Sequence, residues 1–266
     1  MTAPLAGRCF VLTRPLGQAD ALAAQLRAQG ATVRQFPVTE ILPLADTTAL
    51  QALGERLGAF SLAFFVSANA VRQTCAVLPA VRWPAGIRLA TVGPASARAL
   101  REAGFSEVLY PLQSQDTEGV LALAEFQADA VAGRKVLILR GDGGRELLAE
   151  SLRARGAVVE YQPCYQRQCA RLNPDEVLAS ASAISGVIFS ASEAIRHFCQ
   201  ILGDAAPRLL ASVPVFAPHP RIAEEARRAG AQEVVLTNAG DAGIVAGILH
   251  HQWPDDGISQ RAGPLG

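Results

Sequence analysis

The chain has 266 residues, of which 50% are hydrophobic and 18% charged. It is long enough for one large core or two modest ones, and too apolar for wholesale disorder. Lys+Arg and Asp+Glu both number 24. Without a basic excess a general nucleic-acid binder is excluded, and any anionic ligand must be held by local groups rather than a global field.

Cys9, Cys75, Cys164, Cys169 and Cys199 contain no CxxC pair, so neither a metal framework nor a disulfide scaffold is expected. The opening residues lack a basic segment followed by an apolar one, and no apolar run approaches ~18 residues. The expected compartment is the cytoplasm, with no membrane partner.

In chain order, the apolar run Cys9–Leu12 predicts a buried strand. Ala19–Gln29 predicts an amphipathic helix closed by Gly30, and Thr32–Phe36 a second strand. Strands follow at Leu62–Val66, Arg88–Val92 and Glu107–Tyr110, with helices between them. The pattern then restarts. Val136–Leu139 is a strand, Arg145–Arg155 a helix closed by Gly156, and Val158–Gln162 a strand. Gly186–Phe189, Val213–Phe216 and Glu233–Leu236 repeat the later strands. The polar stretch 254–266 reads as a disordered tail.

The restart is a duplication. Residues 7–38 align with 133–164 without a gap, and 13 of the 32 positions are identical, including Arg14/Arg140, Gly30/Gly156 and Pro37/Pro163. Phe65–Ala70 matches Phe189–Ala194, and Ala97–Gly104 matches Ala223–Gly230. Three blocks in one order at offsets of 124 to 126 exceed what chance gives in an Ala/Leu/Gly-rich chain. Alternating strands and helices imply parallel sheets covered on both faces. The predicted fold is α/β: two flavodoxin-like, doubly wound parallel-sheet domains related by internal duplication.

In such sheets ligands bind beyond the carboxyl ends of the strands, where helix N-termini present unpaired N–H groups. Small and hydroxyl residues stand there: Ser67 and Asn69, then Ser96, then Ser190 and Ser192. Each is an ordinary N-cap residue or an anion contact, and the recurrence in both copies raises the second reading to equal standing with the first. Arg14 and Arg140, just past the first strand of each copy, either grip a carboxylate or phosphate or close a structural ion pair. The glycine-rich stretch 140–145 lacks phosphate-loop spacing. His197, His219, His250 and His251 sit in no catalytic motif, and no HExxH, GxSxG or paired-carboxylate pattern occurs.

Several segments in series resemble the uroporphyrinogen-III synthase family. They are Leu12-Thr13-Arg14-Pro15, Phe65-Val66-Ser67-Ala68-Asn69-Ala70-Val71, Val92-Gly93-Pro94-Ala95-Ser96-Ala97, the run from Leu139 to Leu148, Pro163-Cys164-Tyr165-Gln166-Arg167, Ile188 to Ala194, and Pro220-Arg221-Ile222-Ala223-Glu224. The resemblance covers about residues 7 to 250. It implies an exchange of the first βαβ unit. Residues 1–37 plus 166–253 form domain one and 40–163 domain two, joined by a two-stranded hinge near Val38–Ile41 and Cys164–Gln168, with the active site in the cleft between them.

The resemblance also implies a monomeric lyase that needs no cofactor and no metal. Its small-molecule substrate is hydroxymethylbilane, supplied through transient contact with hydroxymethylbilane synthase. Tyr165 matches the tyrosine placed as the acid that assists departure of the substrate hydroxyl. Ser96 matches a cleft-lining hydroxyl, and Ser67, Asn69, Ser190 and Ser192 mark backbone sites for substrate carboxylates. Arg221-Ile222 stands where some members have two threonines, so the hydroxyl role is absent and Arg221 takes a carboxylate instead. The rival reading is a non-catalytic two-domain binding protein for an anionic small molecule. A receiver or flavodoxin pair is disfavoured, because the strand ends carry Arg14, Ser67, Gly93 and Arg140 rather than clustered acids.

Overall fold

The structure, a computed structural model, describes residues 3–114, 116–142 and 146–253. The tail expected at 254–266, and Gly143, Gly144 and Arg145 of the glycine-rich stretch, lie outside the described residues. Two compact units result, one built from Met1–Glu40 with Cys169–Gly266 and the other from Ile41–Gln168.

Ten strands are described: β1 (Cys9–Leu12), β2 (Thr32–Gln35), β3 (Thr39–Pro43), β4 (Leu62–Phe65), β5 (Arg88–Thr91), β6 (Lys135–Gly141), β7 (Val158–Cys169), β8 (Gly186–Ile188), β9 (Val215–Ala217) and β10 (Val234–Leu236). The first unit holds the sheet β10-β9-β8-β1-β2. The pairings β1–β2, β1–β8, β8–β9 and β9–β10 are all parallel. Renumbered along the chain, its order is the flavodoxin-type 2-1-3-4-5.

The central strands β1, β8 and β9 are short and buried along their length because helices cover both faces of the sheet, whereas the edge strand β2 (Thr32-Val33-Arg34-Gln35) is largely polar. β1 is buried along its whole length. Val11 joins one core with Phe36, Phe189 and Phe198. Its neighbours Phe10 and Leu12 join the other, with Leu22, Phe216 and Ile248. That alternation is the two-residue period of a strand between two layers.

The second unit holds β3-β7-β6-β4-β5. β7, β6, β4 and β5 repeat the order of β2, β1, β8 and β9. The expected strand at Glu107–Tyr110 is reduced to a single parallel bridge between Ala90 and Leu109. This residue lies at the sheet edge, where it has one neighbour to pair with. β3 is the addition, lying on the far side of β7. β7 itself runs on for 12 residues, well past the expected end at Gln162. The cores again divide by face: Ala63 and Phe65 of β4 on one side, Leu62 and Phe64 on the other.

The duplication is visible in the backbone as well. Gly30 and Gly156 close corresponding helices at φ +90 and +86, and Gly104 and Gly230 do so at +101 and +105. These are left-handed C-cap conformations that L side chains adopt only with strain.

Candidate active site

In the first unit the carboxyl end of β1 delivers Thr13 and Arg14. The buried Thr13 hydroxyl donates to the Ile188 carbonyl at 2.8 Å, which ties the β1 and β8 ends together. Arg14 Nε donates to Ser190 Oγ at 2.8 Å, and Arg14 Nη1 donates to Asp241 Oδ1 at 2.6 Å. Asp241 stands in the first turn of the helix Gly240–His250, where the dipole favours a carboxylate. The structure therefore brings Arg14 and Ser190 together, and adds a carboxylate that sequence reasoning missed. Asp241 is 227 residues away from Arg14 and carries no local signal of the pairing.

Ser192 opens the helix Ser192–Leu202, and its buried Oγ has no hydrogen-bond partner among the described residues. Arg221 is exposed, on the helix Pro220–Arg228, whose N-cap is His219. His219 Nδ1 accepts from the Arg221 backbone N–H at 3.1 Å. His197 serves the fold here. Its Nδ1 and the buried Thr39 hydroxyl lie 2.8 Å apart, and burial pushes the imidazole pKa down.

In the second unit Ser67 caps the helix Ala68–Val77 by accepting from the Ala70 N–H at 3.2 Å. Asn69 is partly buried in the first turn of that helix, and Ser96 is buried on the helix Pro94–Glu102. Arg140 Nη1 donates to Glu146 at 2.8 Å, and its guanidinium lies 4.4 Å from the centre of the Tyr161 ring. Tyr161 donates to the other Glu146 oxygen. Those two hydrogen bonds, from Tyr161 and then Arg140, hold the Glu146 carboxyl below its usual range. Both duplicated arginines are thus held by a carboxylate near the start of a helix.

Tyr165 is placed by a β-bulge. The β6–β7 register pairs Arg140 with Pro163 and then Gly141 with Tyr165, so Cys164 is the extra residue. The Tyr165 ring lies directly on Gly141. A Cβ built there would come within 2.7 Å of the ring, so this position has to be glycine. The ring is fully buried. Its hydroxyl accepts from Arg167 Nη2 at 3.0 Å and lies 3.5 Å from Ser67 Oγ. Both partners are partly exposed. Arg167 closes the segment Pro163–Arg167, yet sequence reasoning did not pair it with Tyr165. Neighbours at i and i+2 share a face of a strand, and that spacing was the available signal.

The bulge residue Cys164 donates from Sγ to the Arg140 carbonyl at 3.2 Å. Burial pushes its thiol up to about 11, and burial does the same for Cys75. At pH 8 about one thiol in a thousand at these positions is thiolate, the nucleophilic form. Iodoacetamide at pH 8 is therefore expected to leave Cys75 and Cys164 unmodified in folded protein and to modify all five cysteines in denaturant, read by peptide mass spectrometry. Rapid labelling of native Cys164 would contradict this placement.

Among the described residues no group of three or more His, Cys, Asp or Glu is placed to hold a metal ion, and no helix is long and apolar enough to cross a membrane. What the described residues offer instead is hydrogen-bond donors and cations at strand ends, with the phenols of Tyr161 and Tyr165 beside them.

Comparison with known proteins gives the family of the chain. A curated uroporphyrinogen-III synthase from Salmonella typhimurium is 39% identical over 167 residues, 61% of this chain and 65% of the relative, so this match spans just under two thirds of that protein's length. The Escherichia coli uroporphyrinogen-III synthase is 29% identical over 87% of this chain and 96% of its own. Among solved structures, a mutant uroporphyrinogen III synthase from Thermus thermophilus superposes with a TM-score of 0.56 at 16% identity, covering 91% of this chain and 97% of the other. That likeness speaks for the fold alone. The family model described as Uroporphyrinogen-III synthase HemD matches residues 20–246, which span most of both units. The chain belongs to the uroporphyrinogen-III synthase HemD family.

Proposed function

We propose that this protein is a uroporphyrinogen-III synthase of porphyrin biosynthesis, a carbon–oxygen lyase that acts as a monomer in the cytoplasm. Its substrate is hydroxymethylbilane, a linear tetrapyrrole with eight carboxylates, passed on by transient contact with hydroxymethylbilane synthase. The observation that carries the reading is the family match over residues 20–246.

The chemistry asks little of the protein beyond shape and one proton. Loss of the terminal hydroxyl as water gives an azafulvene cation. The substituted carbon of the last ring attacks it and forms a spiro intermediate, and fragmentation and reclosure give the inverted ring. The substrate's own pyrroles supply the electrons, so the reading includes no cofactor and no metal. The protein must hold the chain so that the spiro route outruns direct head-to-tail closure. Arg14, Ser190, Ser192 and Arg221 in one unit and Ser67, Asn69, Ser96 and Arg140 in the other are assigned to the carboxylates and the chain. Tyr165 is assigned the proton for the departing hydroxyl. A neutral phenol suits a polyanionic substrate, because it donates without first needing a charge.

The test is a coupled assay. Hydroxymethylbilane is generated by its own synthase, with and without this protein, and the oxidised porphyrin isomers are separated. The expected result is a switch from type I to type III product. Type I alone, from folded protein, would leave an anion-binding module as the better account.

A further inference from the structure

We infer that Arg167 is a positioning residue for Tyr165. It occupies the acceptor side of the phenol, turns the phenolic proton toward a site beside Ser67, and carries the charge left when that proton departs. The inference rests on the reading of Tyr165 as the acid and extends it to a residue to which no role has been assigned.

The geometry is local to one unit. Arg167 lies two positions after Tyr165 on β7, so both side chains leave the same face. Arg167 Nη2 donates to the phenol oxygen at 3.0 Å, and the guanidinium carbon lies 5.5 Å from the ring centre. The backbone N–H of Arg167 donates to Asp142 Oδ1 at 3.3 Å, which ties this stretch of β7 to the residue that follows β6.

A phenol has one proton to give and accepts on the other side of its oxygen. With a guanidinium on the accepting side, the proton turns away from it. There it meets Ser67 Oγ at 3.5 Å, which is at the outer limit of a hydrogen bond. Ser67 is also already accepting from the Ala70 N–H. The proton is therefore aimed but poorly satisfied, and a substrate hydroxyl arriving beside Ser67 would be a better acceptor.

In the proton-transfer step the phenol O–H bond breaks, an O–H bond forms on the substrate hydroxyl, and the substrate C–O bond breaks to release water. This leaves an azafulvene cation and a phenolate. Arg167 holds the phenolate through a charge-assisted hydrogen bond, which is about twice as strong as a neutral one. Ring closure ends with loss of a proton from a pyrrole carbon, and that proton restores the phenol.

The experiment is a kinetic double-mutant cycle on the full chain, with Arg167→Met, Tyr165→Phe and both together, plus Arg167→Lys. Arg167→Met is expected to lower kcat about 10-fold, a part of what an acid contributes, with KM within about twofold. Arg167→Lys should recover most of that loss, because a single N–H contact needs a cation more than it needs the planar fork. In the Tyr165→Phe background, Arg167→Met should cost almost nothing more, because the two residues act as one unit. Equal losses of kcat in both backgrounds, or a change in KM alone, would overturn the inference and make Arg167 a structural or substrate-carboxylate contact. Wild-type protein still yielding type III product would then leave the proposed function standing, whereas type I product from wild type would remove both.

Discussion

Tyr165→Phe is expected to lower kcat about 100-fold while KM stays within about twofold, which places the loss in the transition state rather than in substrate binding. The size follows from the chemistry. A positioned acid is worth roughly 10²–10⁴. A hydroxymethyl group on an electron-rich pyrrole already departs with help from the ring, so the lower end applies. The substitution keeps the ring that rests on Gly141 and fills the core beside Phe65 and Leu139. It removes one buried hydroxyl and leaves the Arg167 N–H facing a hydrogen atom. Because Arg167 is partly exposed, solvent takes up part of the lost contact, so the cost is about 1 kcal/mol and a small fall in Tm accompanies the kinetic effect without abolishing the fold. The measurement is steady-state kcat on freshly generated hydroxymethylbilane, with isomer analysis of the product. Because uncatalysed closure gives type I, the variant should also release a larger type I fraction at long times. A variant with kcat within threefold of wild type would leave Tyr165 as a packing residue.

Much of the architecture around this tyrosine is legible in the amino-acid order alone. The duplication implies it, because β1 and β6, their following helices, and the glycines at 30 and 156 repeat at one spacing. Apolar runs such as Cys9–Leu12 leave little choice beyond a strand buried on both faces. The bulge at Cys164 is not legible. It is a matter of register between β6 and β7, and register is decided by the partner strand. The reduced strand at Leu109 illustrates the same limit from the other side: its residues match β10 in type, but pairing at a sheet edge depends on what lies beside it.

The candidate site divides similarly. Ser67, Ser190, Arg14 and Tyr165 can be placed at strand ends from pattern and resemblance, but their partners cannot. Arg14 finds Asp241, and Arg140 finds Glu146 and Tyr161, through helix starts and side-chain reach. Arg140 and Glu146 stand six residues apart, a spacing that neither a helix nor a strand brings into contact.

Arg14→Ala should raise KM for hydroxymethylbilane about 30-fold, and removing Asp241 as well should return most of that affinity. Arg14 and Asp241 are 17% and 25% exposed, so their ion pair is shielded from solvent but not sealed from it. In wild type the guanidinium neutralises Asp241 and donates to Ser190 Oγ, and under the proposed function it faces a substrate carboxylate there. Deleting the arginine loses a cation and also leaves a bare carboxylate where a substrate carboxylate is to bind. At ~6 Å and an effective dielectric near 20–40, two like charges repel by about 1–3 kcal/mol, which corresponds to roughly a 10- to 100-fold loss of affinity. In Arg14→Ala/Asp241→Ala that repulsion is gone, and KM is expected within about fivefold of wild type, the remainder being one lost charge-assisted contact. Salt provides an independent check. At ~1 M ionic strength the screening length falls to about 3 Å, so the KM penalty of Arg14→Ala should shrink while that of the double variant hardly moves. If Arg14 served only to brace the fold, Arg14→Ala and Asp241→Ala would lose Tm together, and KM would follow neither the charge at position 241 nor the salt.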